Sequence, residues 1–271
     1  MNIETHPCFS GCCTDYARIH LPVAPKCNMQ CNYCVRKFSC ANENRPGVTI
    51  KVMEPAEALA WYVKMKSAIK NLTVVGIAGP GDSLANWKKT KQTIQLIREY
   101  DKEVQFCLST NGLLLPKYID ELIKNGVEFV TVTVNAVDAL IGAKIYAYIL
   151  FNGERMEGVK AAEFLWSRQK EGIEKLIKAG ICVKINTVAI PGVNMEEIPN
   201  IAKIVGKLGC EVQNIIPLLP VDGAVFGNLV EPKYDEILAL RTECKSYIRQ
   251  MEHCTRCRAD AVGSLKCKNM E

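Results

Sequence analysis

Three cysteines in the run Cys27-Asn-Met-Gln-Cys31-Asn-Tyr33-Cys34 give the strongest chemical signal in the chain. Three thiolates on one short loop can hold three irons of a 4Fe–4S cube and leave the fourth open to a ligand. A cube held by four thiolates only carries electrons. A zinc loop or a ferredoxin-type cluster is the alternative. Zinc normally takes four ligands from paired C-x2-4-C motifs, whereas here three cysteines stand ahead of an α/β body. The loop follows an apolar run that ends at Ala24, which puts it at the carboxyl end of the first strand. That is the end where α/β folds build their sites.

Three further segments have the chemistry of a cofactor cradle. Gly76-Ile-Ala-Gly79-Pro80-Gly81-Asp82 follows the second apolar run. Glycines there let the backbone approach a ligand and leave N–H groups free for a carboxylate, although an ordinary tight turn would read the same way. Ser109-Thr110-Asn111-Gly112 follows the third run, and Thr131-Val-Thr133-Val-Asn135-Ala-Val-Asp138 closes the fourth. Their polar side chains suit ribose hydroxyls or plain strand-end caps. Beyond the loop, the chain carries Cys8, Cys40, Cys107, Cys254 and Cys257, with His20 in the first strand region. Taken singly, Cys107 reads equally as a core thiol, His20 as a core histidine, Cys40 as a free thiol and Cys254 with Cys257 as half a zinc site. Cys12, Cys13, Cys182, Cys210, Cys244 and Cys267 default to packing or surface thiols.

The elements that must position these groups alternate between two periods. Apolar, β-branched runs span Arg18–Ala24, Leu72–Ala78, Val104–Ser109, Val127–Val134, Ile181–Ile190 and Val212–Leu218. Amphipathic stretches lie between and after them, at Pro55–Ile69, Trp87–Tyr100, Lys117–Asn125, Ala161–Ala179, Ile198–Leu208 and Pro232–Met251. Glycines at 126, 180 and 209 sit where helix C-caps want them. Strand then helix, repeated with short joins, predicts a parallel sheet with crossover helices. Six βα units fall short of the eight of a closed barrel. The fold expected is therefore α/β, a partial (βα)6 TIM-type barrel. It is expected to form one domain over 1–271, with the barrel core at about 15–250 and irregular Cys-bearing extensions at 1–14 and 251–271.

Composition sets the outer bounds. The chain has 271 residues, 48% hydrophobic and 23% charged, which excludes intrinsic disorder. Beside the 14 cysteines, MNIETHPCFS shows no basic or apolar leader pattern and no apolar run reaches 18 residues, so neither a signal peptide nor a membrane span is expected. A reducing cytoplasm is expected, where many cysteines point to metal rather than disulfides. A net charge of +5 without a basic stripe gives no argument for nucleic acid. Lys88-Lys89-Thr90-Lys91 reads as a solvated helix face or as a docking patch for an acidic electron donor.

The Cys27–Cys34 pattern, with an aromatic residue before its third cysteine, resembles the radical S-adenosylmethionine (SAM) family. The phrases HPC, ARIH, APKCNMQCNYC, CANENRPGV, GIAGPGD, STNGL, TVTVNAVD, IGAKIY and CRADAVG span residues 6 to 263. Together they resemble the NifB family, radical enzymes that build the core of the nitrogenase cofactor. The resemblance implies a SAM-binding 4Fe–4S cluster on Cys27, Cys31 and Cys34. It implies SAM contacts at Tyr33, Gly79, Pro80, Gly81, Asp82, Asn111, Thr133, Asn135 and Ile190. Two auxiliary 4Fe–4S substrate clusters follow from it as well, one on Cys8, His20 and Cys107, the other on Cys40, Cys254 and Cys257. Glu43 matches a glutamate near the fusion site, as a transient iron ligand or proton acceptor. The implied reaction methylates one cluster, abstracts a hydrogen from that methyl with a 5′-deoxyadenosyl radical, and fuses the pair around a carbide. The implied partners are a nitrogenase cofactor carrier or scaffold and a ferredoxin-like donor. The rival readings are another radical SAM enzyme with auxiliary clusters, and a non-catalytic iron–sulfur carrier.

Overall fold

The computed structural model describes residues 2–10, 15–35 and 45–265. Cys40 and Glu43, and also Cys12, Cys13 and Cys267, lie outside the described residues. The chain begins with β1 (Ala17–His20), β2 (Met29–Cys31), α1 (Pro55–Ala68), β3 (Leu72–Ile77), α2 (Trp87–Tyr100), β4 (Gln105–Thr110) and α3 (Leu115–Lys124). It continues through β5 (Val127–Thr133), α4 (Ala139–Ile145), β6 (Tyr146–Phe151), β7 (Glu154–Met156) and α5 (Gly158–Lys178). Last come β8 (Cys182–Ala189), α6 (Ile198–Leu208), β9 (Val212–Pro217), α7 (Tyr234–Cys244) and β10 (Val262–Ser264).

Strands β1, β3, β4, β5, β8 and β9 pair in parallel, in chain order. The sheet curls into a half-barrel, and β10 adds antiparallel to the open edge of β1. The six predicted units are present. The period of two explains why the inside is hollow. Ile19, Val75, Phe106, Val130, Val183 and Ile215 point outward and are buried beneath the helices with Ile94, Leu122, Leu176 and Ile201. Each such side chain contributes roughly 1.5–3 kcal/mol by leaving water. The inward positions of the same strands are instead mostly polar or small: Arg18 and His20, Gly76, Cys107 and Ser109, Thr131 and Thr133, Lys184 and Asn186, and Asn214. A closed barrel fills its interior with branched apolar layers. This inner face is built to hold something else.

Two regions differ from the sequence expectation. The crossover between β5 and β8 holds α4 and the β6–β7 hairpin ahead of α5, where only a helix at 161–179 was expected. β6 pairs with β2, so the cysteine loop itself contains a short strand, in a separate sheet β2-β6-β7. The last helix ends at Cys244 rather than running to Met251. Beyond it, Gln213 N–H donates to Arg249 O and Met251 N–H to Gln213 O, so the backbone joins β9 instead of continuing the helix. The lysine run on α2 is a solvated face with acidic partners, since Lys89 pairs with Glu54 and Lys91 with Glu121 at 2.7 Å. Among the described residues, no helix is long and apolar enough to cross a membrane.

Candidate functional site

The cysteine loop is held by backbone bonds on both sides. Asn32 N–H donates to Ile145 O, Leu150 N–H to Asn28 O, and Phe226 N–H to Asn32 O. Gln30 Nε2 donates to the carbonyls of Cys31 and Cys34, which closes the turn between the two thiols. Asn111 Nδ2 donates to Cys27 Sγ at 3.7 Å and to Asn28 Oδ1 at 2.6 Å. The third thiol, Cys34, faces an adjoining space lined by Tyr33, Arg45 and Pro46.

The cofactor segments meet this loop, although not all in the expected manner. Gly79–Asp82 packs directly on the segment leading into Cys27. A Cβ at Gly81 would lie 2.1 Å from Lys26 O, so only glycine fits. The amides expected to be free for a carboxylate are committed instead. Gly81 N–H donates to Ala24 O at 2.6 Å and Asp82 N–H to Lys26 O at 2.8 Å. The Asp82 carboxylate is a clamp that accepts from Leu84 N, Ala85 N, Thr110 Oγ1 and Asn111 N. Burial nevertheless pushes its carboxyl above the ordinary range, against those bonds.

Asn135 is fully buried, and its side chain is also committed. It accepts from Val188 N–H and donates Nδ2–H to Tyr33 OH at 2.9 Å, so it positions the aromatic residue of the loop. Burial, and then the neighbouring Cys31, push the Tyr33 hydroxyl well up. Tyr33, Pro80, Gly81, Asp82, Asn111, Thr133 and Asn135 all line the cavity. Ile190 does not; its side chain belongs to the apolar cluster beneath the cysteine loop, with Met29 and Leu218.

Below this cradle the remaining candidates open on the same space. One cavity of about 270 Å³ is lined by Cys27 and Cys31 and also by Cys8, His20, Cys107, Cys254 and Cys257. Register explains the placement. His20 pairs with Gly76 and Gly76 with Cys107, on three adjacent strands. A Cβ at Gly76 would lie 2.7 Å from His20 Cδ2, so the missing side chain is what lets the imidazole lie there. His20 Nδ1 is 2.9 Å from Arg258 O, and a carbonyl only accepts, so Nδ1 carries the hydrogen. Burial pulls the ring down to about 4, hence neutral with a lone pair on Nε2, the state a metal ligand needs. Burial pushes the Cys107 thiol up to about 12, against the pull of Lys184. Cys8 moves in the same direction for the same cause.

From the tail, Arg18 Nη2 donates to Cys257 Sγ at 2.7 Å and Asn214 Nδ2 to Cys254 Sγ at 3.2 Å. Cys182, Cys210 and Cys244 are buried and each pushed up to about 12 by desolvation, as packed thiols are. The structure therefore brings together seven of the nine cysteine and histidine candidates around one space, with Cys34 beside it and Cys40 outside the described residues.

The residues present fit iron–sulfur clusters in kind. The donors are soft thiols and one neutral imidazole, as such clusters prefer. Two cavity-lining residues also carry buried N–H groups with no partner among the described residues, His6 Nε2 and Arg18 Nε, which a sulfide-rich ligand can accept from. Among the described residues, no three His, Cys, Asp or Glu side chains are grouped as ligands of a single metal ion. Arg18 and Lys184 escaped the sequence reading. The available signal was a charge at an alternate position inside an otherwise apolar strand, which a parallel strand does not carry without reason.

Comparison with known proteins adds the family. The signature of the Radical SAM superfamily matches residues 21–205. The "FeMo cofactor biosynthesis protein NifB" of Klebsiella pneumoniae is 47% identical over 96% of this chain and 57% of its own length. That of Chlorobaculum tepidum is 44% identical over 98% of this chain and 63% of its own. That of Azotobacter vinelandii is 43% identical over 97% and 53%. The chain thus spans a little over half the length of these curated relatives. Among solved structures, Streptococcus suis SuiB aligns over 88% of this chain and 50% of its own with a TM-score of 0.63 at 12% identity. Methylornithine synthase (PylB) aligns over 98% and 80% with 0.54 at 15%. At such identities these two speak for the fold alone.

Proposed function

The chain belongs to the radical SAM superfamily, and from that premise we propose that it works in FeMo cofactor biosynthesis as NifB does. The reaction read here is methylation of one four-iron substrate cluster and fusion of two such clusters around a carbide, giving an eight-iron precursor. The observation that carries this reading is the single space onto which the Cys27–Cys31 loop, Cys8 with His20 and Cys107, and Cys254 with Cys257 all open. An electron carrier has no need for substrate-grade ligand sets beside a SAM cradle.

When bound on Cys27, Cys31 and Cys34, a 4Fe–4S cluster with SAM supplies the reductive cleavage that makes an organic radical. The other roles fall to the chain. Asn111 donates to the Cys27 sulfur, and Asn135 holds Tyr33 in place. The clamp at Asp82 ties the glycine turn to the end of β4. Cys8, His20 and Cys107 hold one substrate cluster; Cys40, Cys254 and Cys257 hold the other. A neutral imidazole leaves iron more readily than a thiolate, which suits a ligand that must release a product. Glu43 takes up a proton or an iron during fusion. Residues 1–14 and 251–271 act as cluster-holding extensions of one barrel domain. A ferredoxin-like donor supplies electrons, and a nitrogenase cofactor carrier or scaffold takes the product.

The test is anaerobic reconstitution followed by an iron and sulfide count and an assay with SAM and dithionite. About twelve irons, with both S-adenosylhomocysteine and 5′-deoxyadenosine formed, is the expected result. Deoxyadenosine without S-adenosylhomocysteine would remove methyl transfer to a cluster and leave a different radical enzyme. Neither product, with clusters intact, would leave a carrier or scaffold.

A further inference from the structure

Lys184 sits at the middle of the inner face of β8, between Cys182 and Asn186, and lines the cavity. It pairs in register with Thr131 of β5, which pairs with Ser109 of β4, one layer above Cys107. The residue is 7% exposed. Its amino group lies 5.2 Å from the ring centroid of Phe9, the residue that follows Cys8. No carboxylate among the described residues pairs with it. A ring face offsets only part of what a cation gains from a counter-ion in a low-dielectric space. The described protein atoms alone leave that charge uncompensated. Cys8, Cys107 and His20 line the same space. A 4Fe–4S cluster held there by two thiolates and a neutral imidazole is neutral overall in its 2+ state and carries −1 after one-electron reduction, so its reduced form would supply the missing counter-charge.

We propose that Lys184 is the charge-compensating and positioning residue for the four-iron substrate cluster on Cys8, His20 and Cys107. The inference rests on the proposed function and names the residue that tunes one of its two substrates. Net charge and hydrogen bonds to sulfur set the potential of such a cluster. Reduction adds negative charge, so a nearby ammonium favours the reduced form. Removing it lowers the midpoint potential and loosens the cluster.

The experiment isolates that site in the full chain. Cys27, Cys31, Cys34, Cys254 and Cys257 are replaced by alanine, and the protein is reconstituted anaerobically and titrated by EPR. If this parent binds no four-iron cluster, the proposed function fails at this ligand set, and the inference fails with it. If it binds one, Lys184→Met is compared in the same background, and Lys184→Gln serves where the methionine variant does not fold. The expected result is a lower midpoint, by at least tenfold in the one-electron equilibrium, or about 59 mV. Lys184→Arg, which keeps the charge, is expected to restore most of it. An unchanged midpoint in the neutral variants overturns the inference while leaving the function standing. Loss of the cluster from folded Lys184→Arg and Lys184→Met alike also overturns it, because charge would then not be what matters.

Discussion

His20 depends on a neighbour with no side chain. The imidazole lies over Gly76, its Nδ1–H is taken by Arg258 O, and Cys107 stands on the next strand at the same level. Adding one methyl at position 76 places a carbon 2.7 Å from His20 Cδ2, and a strand backbone cannot back away from it. Gly76→Ala is therefore expected to turn the ring and break its bond to Arg258. Forcing a methyl into a packed site costs roughly 1–3 kcal/mol, which a urea melt of the metal-free protein reads. On the proposed reading the reconstituted variant loses about four irons while the SAM-dependent signal of the Cys27–Cys34 cluster stays. Full iron occupancy with an unchanged melt would remove His20 and Gly76 from the site. The same residues mark the limit of reading a site from types alone. Asn135, Asp82 and the amides of Gly81 and Asp82 look like ligand contacts in a string of letters. In three dimensions they line the cavity and also bond to the protein, so part of what they contribute is position.

At the scale of elements, α1 and α2 are joined at a polar corner. Tyr62 OH donates to Asp101 Oδ2 at 2.6 Å, and Lys66 Nζ lies 2.9 Å from the same oxygen. Burial alone would raise the Asp101 carboxyl, but the bonds from Tyr62 and Lys66 hold it down to about 2. A carboxyl lower in the folded than in the unfolded chain stabilises above the unfolded value of about 3.9 and loses that contribution as pH falls toward the folded one. Asp101→Asn is expected to lower stability by about 1–2 kcal/mol at pH 7 and to flatten the loss between about pH 4 and 2. Parallel melts of both proteins across that range check it, and equal slopes would show that the corner carries no such linkage. The strands and their helices were legible because each has a strong period and an apolar outer face. The β6–β7 hairpin was legible too, though passed over: Asn152 and Gly153 both take positive φ, the turn that an Asn-Gly pair between alternating residues signals. β2 was not legible, since three residues of a cysteine loop become a strand only when β6 lies beside them. Nor was the stop of α7, where pairing with Gln213 across the sheet outcompetes local helix propensity.

Across the whole molecule, the tail does more than present two cysteines. β10 covers the open edge of β1, with Ala17 opposite Ser264 and Ile19 opposite Val262. His20 N–H donates to Ala261 O, and Arg18 donates through its guanidinium to Gly263 O and Cys257 Sγ. Ala259 N–H reaches Val48 O, and His253 Nε2 lies 2.8 Å from Pro7 O beside Cys8. The segment that carries Cys254 and Cys257 thus also fixes His20 and braces the amino-terminal strand of contacts around Cys8. On the proposed function the two substrate sites are built on one shared support, so they are expected to be coupled. That coupling separates a double substitution from a deletion. Replacing Cys254 and Cys257 by alanine removes ligands and leaves the β1–β10 pairing, so about eight irons are expected to remain. Deleting residues 252–271 removes the pairing as well, frees an edge strand and strips the His20 ring of its partner, so about four are expected. Hydrogen exchange gives the independent readout: the amides of Arg18 and His20, which face β10, are expected to stay protected in the double substitution and to exchange quickly in the deletion. If the deletion keeps eight irons and those amides stay slow, the tail is only a ligand arm and the two sites are independent. If both predictions hold, the half-barrel is an incomplete container until its own end closes it, which accounts for a chamber lined by residues from His6 to Leu265, far apart in the chain.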